Sequence, residues 1–405
     1  MGSISLLKRL MERIVSTEYD RPLRVAYFAG TMKPGHDGVT RVLYRLAESL
    51  TRRNVESIFF SPIIPRREEQ PAPMVEVPSI VFPLHREYRL ALPGYAAFAR
   101  QLKSFAPDLM HINSPCTLGR AAVRYANQHG IPVVGTYHTH FPSYARYYKI
   151  KPLEGMGWTY LRGLYNDCQR LYVPSMPIVE ELRGQGFRNL YYLPHGVDLE
   201  SFRPNFRSLE WKEAIGAVGK NVVLFVGRLV WEKDLKVLAD ACRLIQQERN
   251  DLVFAVVGDG PVRSELEQLM PGARFLGHQS GEQLATSYAS SDLFVMPSTT
   301  ETFGNVTLEA MASGVAPVCA NAGGARGIIQ PGVTGLLAAP GDARDLADKV
   351  LSLIDNPGKR AELADQALRY ARQQGWDGIF DELFEDYHRV IRTYRSHTAH
   401  RRKAA

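Results

Sequence analysis

Two carboxylates, Glu301 and Glu309, stand eight positions apart in the stretch STTETFGNVTLEAMASGVAPVCANAGGARGII, with Phe303-Gly304-Asn305 between them and a glycine pair, Gly323-Gly324, beyond. DLFVMPS ahead of them reads as a strand, TTETFG as its exit loop, and NVTLEAMASG as a helix ending at Gly314. Phe303, Gly304 and Asn305 therefore stand at the start of that helix. The first amides of a helix have no partner within it and suit an anion or sugar hydroxyls. A hydrolase pair flanking one bond needs carboxylates about 5–9.5 Å apart. Eight residues of helix span about 12 Å. The spacing suits two acceptors on one long ligand better, one taking hydroxyls of a sugar and the other those of a ribose. A single glutamate is ordinarily a solvated side chain; the constellation is what sets these two apart.

Two cations complement them. VGRLVWEKD leaves an apolar strand through Gly227 and places Arg228 and Lys233 five residues apart ahead of a helix. Arginine offers phosphate oxygens a planar fork and lysine a point charge, so the pair suits a pyrophosphate. Either residue alone reads as surface charge. VVGDGPVRSELE ends a strand in Gly258-Asp259-Gly260, where glycine lets the backbone approach a base or ribose. The run is not GxGxxG, so a nicotinamide dinucleotide is not indicated. No pair of carboxylates at a strand end suggests a magnesium site, and neither a metal nor a resident cofactor is expected.

These loops need strand ends to hold them. LRVAYFAG, DLMHIN, IPVVGTY, RLYVPS and LYYLPHG read as buried strands alternating with helices of 10–15 residues. The alternation starts again with NVVLFVGRL, LVFAVVGDG, ARFLG and DLFVMPS. Strand, helix, strand at this spacing is the mark of parallel βαβ units. A chain of 405 residues is too long for one ordinary core, and two α/β domains follow. The break is expected near HGVDLESFRPNF, giving domains 1–197 and 198–405. Ligands of such sheets sit beyond the carboxyl ends of the strands. The last helix, WDGIFDELFEDYHRVIRTYR, carries Ile379, Leu383, Phe384, Tyr387, Val390 and Ile391 at helical spacing and is expected to pack back on the first domain.

Composition bounds the rest. With 45% apolar and 22% charged residues the chain reads as a soluble globular protein, and no run is long and apolar enough to span a bilayer. No secretory signal is read at the start. Cys116, Cys168, Cys242 and Cys319 are far apart and form no CxxC, which fits packing residues in a reducing compartment. The net charge of +7 suggests an anionic partner, but no nucleic-acid motif accompanies it. SISLLKRLMERIV is amphipathic. It reads either as a helix lying in an anionic membrane interface or as one packed on its own domain or on another copy.

The segment around Glu301 and Glu309 resembles the EX7E signature of the GT4 family of retaining glycosyltransferases, whose fold is GT-B. GRLVWEKD, VVGDGP, FLGHQSGEQLATSYASSDLFVMPS, GGARGII and GVTGLL follow in that family's order and cover nearly all of the second half. GTMKPGHDGVTRVLYRLAESL is similar to the family's glycine-containing loop and first helix. GTYHTHFPSYARYY, VPSMPIVEEL and PHGVDLESFRP are similar to a subgroup containing GDP-mannose-dependent α-mannosyltransferases and plant-type sulfolipid synthases.

The resemblance implies two Rossmann-like doubly wound domains facing a central cleft, with the C-terminal helix crossing back. It implies that Arg228 and Lys233 neutralise the diphosphate of a nucleotide-sugar donor, and that Glu309 holds the ribose. Glu301, with the backbone of Phe303, Gly304 and Asn305, would hold the hexose. His138 would lie near the transferred sugar and the acceptor, His278 near the base, and Gly38 where the first-domain loop approaches the diphosphate. One departure is that Gly35 and Gly38 are separated by His36-Asp37, whereas many relatives have adjacent glycines. The expected reaction is hexose transfer with retention, with mannose from GDP-mannose as donor and a lipid-linked or sugar acceptor, in the cytoplasm or at the inner face of its membrane. UDP-glucose or another UDP-sugar is the alternative donor; a nucleotide-sugar 2-epimerase and a non-enzymatic nucleotide-sugar-binding protein are the alternative classes.

Overall fold

The structure is a computed structural model that describes residues 21–34, 38–81, 89–92, 96–140, 142 and 151–404. The amphipathic N-terminal segment, Gly35 with His36-Asp37, and all of FPSYARYY except Pro142 lie outside the described residues.

The chain divides into two compact units. One comprises Met1–Thr136, Gly163–Leu171 and Leu383–Ala405; the other comprises Tyr137–Arg162 and Tyr172–Glu382. They differ from a division by chain order after residue 197, which stays a proposal.

The strands in the first half of the chain are β1 (Leu23–Phe28), β2 (Val55–Ser61), β3 (Met74–Glu76), β4 (Ser79–Val81), β5 (Arg89–Ala91), β6 (Leu109–Ile112), β7 (Val133–Thr136), β8 (Arg170–Val173) and β9 (Leu190–Tyr192). Seven form one sheet in the order β3-β2-β1-β6-β7-β8-β9, and β4 and β5 form an antiparallel pair. β1 runs parallel to β2 and to β6, with Val25 opposite Leu109. Val25 to Phe28 are all fully buried. A strand buried on both faces reads as a continuous apolar run, as LRVAYF does. The helix Gly38–Arg52 returns the chain from β1 to β2, burying Val42, Leu43, Leu46 and Leu50 along one side.

The C-terminal end of the last helix, Trp376–Ala404, belongs to this first unit from Leu383 onward. Leu383, Phe384, Tyr387, Val390 and Ile391 are buried as expected. Ile379 is only half-buried, and the neighbouring Phe380 takes the buried position instead. Polar bonds fix the helix as well. Buried Asp386 accepts from Arg170 Nε at 3.0 Å and from Arg389 Nε at 3.0 Å. The buried His111 ring of β6 bonds Tyr387 Oη through Nδ1 and Thr136 Oγ1 through Nε2. Burial pushes the His111 pKa down to about 3, so the ring is neutral.

The second sheet comprises β10 (Asn221–Val226), β11 (Leu252–Val257), β12 (Arg274–Gly277), β13 (Leu293–Met296), β14 (Ala316–Ala320) and β15 (Leu336–Ala338). Its order is β12-β11-β10-β13-β14-β15, and every pair is parallel. Renumbered along this half the order is 3-2-1-4-5-6, that of a dinucleotide-binding fold. The direction of winding reverses between β10 and β13, which lie side by side with Val223 opposite Leu293. Loops leaving those two strands at their carboxyl ends diverge to opposite sides and leave room for a ligand. The core beneath is made by Leu224, Phe225, Val256, Phe294, Val295 and Val318 of the strands with Leu238, Ile245, Leu346 and Val350 of the covering helices.

Candidate functional site

Arg228 and Lys233 leave β10, and Glu301 leaves β13, so the sheet order alone brings the cations and the first carboxylate to the reversal point. The two loops are joined residue by residue. Thr300 Oγ1 donates to the Glu232 carbonyl at 2.9 Å. Lys233 Nζ donates to Glu301 Oε1. Asp234 Oδ2 accepts from both the amide and the hydroxyl of Thr299, each at 2.8 Å. Burial raises the Asp234 pKa, and the two Thr299 bonds oppose that rise. The Lys233 and Glu301 side chains keep 19% and 18% of their exposure. The pair is thus partly open to solvent, and an anion of higher charge can compete for the lysine. Arg228 is half-buried beside them in the sequence.

The exit loop of β13 is held from behind as well. The amide of Gly324 donates to the Glu301 carbonyl at 2.7 Å. A Cβ on Gly323 would overlap the Glu301 carbonyl oxygen, and one on Gly324 would overlap the backbone of Phe303. Gly323 also has φ +49°, a conformation L side chains rarely adopt. The second glycine pair exists so that one backbone can lie against another. Thr302 ties the loop on its other side: its Oγ1 donates to the His138 carbonyl at 2.8 Å, and its backbone carbonyl accepts from Ser175 Oγ at 2.9 Å.

The helix that follows, Asn305–Ala312, is capped by Gly304, whose carbonyl accepts the amides of Thr307 at 2.9 Å and Leu308 at 3.2 Å. Phe303 is buried with Val197, Leu308, Met311 and Ile328, so its ring anchors the turn. Glu309 lies one turn into the helix, 7% exposed, and its Oε2 accepts from the buried Tyr288 hydroxyl at 2.9 Å. Tyr288 was invisible as a site residue. It stands four positions after Leu284 on the helix Gly281–Ala289 and reads as plain core; only its hydroxyl gives it a polar task.

His138 is half-buried, and its ring centroid lies 5.7 Å from that of His195. His195, in the PHGVD segment, was also missed as a site residue. A histidine before a glycine after a short strand carries no signal of its own. Its Nδ1 bonds Asn305 Oδ1 at 2.9 Å, and its ring centroid lies 5.0 Å from that of Phe303. Burial pushes its pKa down to about 4, with the Asn305 bond acting weakly the other way.

The other sequence-derived residues are placed as follows. Gly258 ends β11 with φ +139°, and a Cβ there would overlap the Gly227 carbonyl oxygen. Packing against the Arg228 loop already requires glycine at that position. His278 is exposed beyond β12, the edge strand, with β11 between it and β10. Gly38 opens the helix Gly38–Arg52 in the first unit. Cys168, Cys242 and Cys319 are buried, and burial pushes each thiol up to about 12; Cys116 is partly exposed.

Two family models match the chain, "Glycosyltransferase Family 4" over residues 36–201 and "Glycosyl transferases group 1" over residues 208–373. The GDP-mannose-dependent alpha-mannosyltransferase of Corynebacterium glutamicum is 33% identical over 380 residues, covering 92% of this chain and 91% of that protein. The sulfoquinovosyl transferase SQD2 of Arabidopsis thaliana is 34% identical over 329 residues, covering 78% of this chain and 64% of that protein. The crystal structure of Anabaena Alr3699/HepE in complex with UDP and glucose superposes with a TM-score of 0.73 at 22% identity, over 90% of this chain and 99% of that one. That likeness is one of fold, two Rossmann-like α/β domains of the GT-B kind.

Proposed function

Because the chain belongs to the GT4 family of glycosyltransferases, we propose that it transfers mannose from GDP-mannose, with retention, to a hydroxyl of a sugar or a lipid-linked acceptor. The observation that carries the donor is the 33% identity to a GDP-mannose-dependent alpha-mannosyltransferase along 92% of the chain.

The residues at the reversal of the second sheet suit the chemistry. The bond between the anomeric carbon and the diphosphate oxygen breaks, and its electron pair leaves with the diphosphate. Arg228 and Lys233 take up that growing charge; preorganised cations of this kind act most strongly in the transition state. Lys233 is paired with Glu301. Donor binding draws the lysine to the diphosphate and frees the carboxylate for hexose hydroxyls, beside the Phe303–Asn305 turn. Glu309, steadied by Tyr288, accepts from the ribose hydroxyls. The acceptor oxygen attacks the anomeric carbon from the face the diphosphate leaves, and its proton passes to the departing phosphate oxygen. His138 lies near the transferred sugar and His278 near the base. No metal or resident cofactor is required in this scheme, since the two cations and the helix start carry the compensating charge.

The second reading is a UDP-sugar donor, since a structure of the same fold is described in complex with UDP and glucose. Thermal shift against GDP, UDP, GDP-mannose and UDP-glucose separates the two. A ligand at a hundredfold excess over its Kd stabilises the native state by about 2.7 kcal/mol. GDP and GDP-mannose are expected to give the larger shifts; larger shifts with UDP and UDP-glucose would replace the donor. We place the protein in the cytoplasm, with residues 1–20 as a peripheral contact to anionic membrane where the acceptor is a lipid. No helix among the described residues is long and apolar enough to cross a membrane.

A further inference from the structure

We propose that His195 is a positioning residue for the sugar half of the donor, holding the Asn305 carboxamide in one orientation so that its NH2 group is presented to the hexose. The inference rests on the reading of Phe303–Asn305 as the hexose-binding turn.

A carboxamide oxygen can only accept, so the 2.9 Å contact between His195 Nδ1 and Asn305 Oδ1 fixes the proton on Nδ1. With Oδ1 taken by the ring, the NH2 group of the Asn305 carboxamide is left to donate elsewhere. The ring has no freedom to release Oδ1. His195 is 8% exposed and packs against Phe303 at 5.0 Å and Trp376 at 6.0 Å between ring centroids. Behind it, a Cβ on Gly196 would collide with the Trp376 backbone, and the Val197 amide donates to the Gln374 carbonyl at 2.8 Å. The low pKa keeps the ring neutral at physiological pH, so it carries one N–H rather than two.

The imidazole is an expensive way to fill this space. Its Nε2 is buried without a hydrogen-bond partner among the described residues. A buried polar atom left unpaired loses its hydration with nothing in return. A phenyl ring, a little larger, would fill the space without that cost but would donate nothing to Asn305. The histidine therefore contributes through Nδ1, and through Asn305 to whatever the start of the helix Asn305–Ala312 holds.

The test compares the wild type with His195→Phe, His195→Asn, Asn305→Ala and the His195→Phe/Asn305→Ala double variant, measuring Kd for GDP and GDP-mannose and then kcat and KM for transfer. An asparagine amide sits close to where Nδ1 sits and can still donate. His195→Phe is expected to leave GDP affinity and Tm near wild type, to weaken GDP-mannose binding about tenfold and to lower kcat. His195→Asn should restore most of both, and the double variant should be no worse than Asn305→Ala. Equal losses for GDP and GDP-mannose, no loss at all, or a His195→Asn as impaired as His195→Phe would overturn the proposal. A wild type that binds UDP-glucose and UDP in place of the guanine ligands overturns the donor assignment only, and the same split is then read on that pair.

Discussion

Lys233 and Glu301 are assigned to two parts of one donor, and they also hold each other. This sets what their variants do. Lys233→Ala and Arg228→Ala are each expected to cut kcat by about 10²–10³, the scale for removing one preorganised group that meets growing charge. Circular dichroism should show the fold intact, and near-normal turnover in both would remove the diphosphate assignment. Lys233→Ala also leaves Glu301 partly buried without its cation, so its Tm should fall below that of Arg228→Ala and recover in Lys233→Ala/Glu301→Gln. The two glutamates should differ. Glu309→Gln is expected to weaken free nucleotide, because ribose is held alike in donor and product, whereas Glu301→Gln should impair transfer and spare nucleotide affinity. Tyr288→Phe should resemble a mild Glu309→Gln. Calorimetric affinity for GDP in the three variants checks this, and the reverse pattern would exchange the two roles.

Among the elements, the loops explain more than the helices do. Three consecutive residues after β10 meet three consecutive residues after β13, and the glycine pair lets a third backbone close against them. Gly324→Ala should therefore destabilise by about 1–3 kcal/mol through overpacking and lower kcat, by displacing Glu301 and Phe303 together. An unchanged denaturation midpoint with full activity would contradict the packing. Much of this frame was legible beforehand. The apolar runs LRVAYF, NVVLFV and LVFAVV are long, bounded by glycine and followed by periodic helices, so strand, helix and site loop fall where the pattern puts them. β2 to β5, β14 and β15 went unread: VESIFFS carries polar residues, APVCA contains a proline, and β3, β4, β5 and β15 are each three residues long. The close fit that demands Gly323, Gly324 and Gly258, and the hydroxyl of Tyr288 and ring of His195, depend on residues distant in sequence, which no local pattern encodes.

At the scale of the molecule, two buried histidines make stability depend on pH. His111 titrates near 3 in the fold and His195 near 4, against an ordinary value of 6.5. Below about 6.5 the unfolded chain takes up protons at these sites that the native state refuses. Stability contributed by their neutral forms is therefore present above 6.5 and lost as pH falls toward 4 and 3, by at most about 1.4 kcal/mol per pH unit per group. Denaturant midpoints at pH 7 and 5 should differ accordingly, and less so in His111→Gln; equal slopes in the two proteins would remove His111 from the effect. The basic excess and the segment 1–20 bear on where the protein acts. If that segment serves as an interfacial anchor, co-sedimentation with anionic liposomes should exceed that with neutral ones, weaken in high salt and fall when residues 1–20 are removed. Equal, negligible binding with and without them would favour a soluble acceptor. The central claim is acceptor-dependent transfer of mannose with retention, and it is met most directly by incubating the protein with GDP-mannose, with and without sugar and lipid-linked acceptors, while following GDP and the anomeric configuration by NMR. The account predicts GDP release that depends on an acceptor and an α-linked mannosyl product. GDP release with free epimerised sugar and no acceptor, an inverted product, or consumption of UDP-glucose in place of GDP-mannose would contradict it.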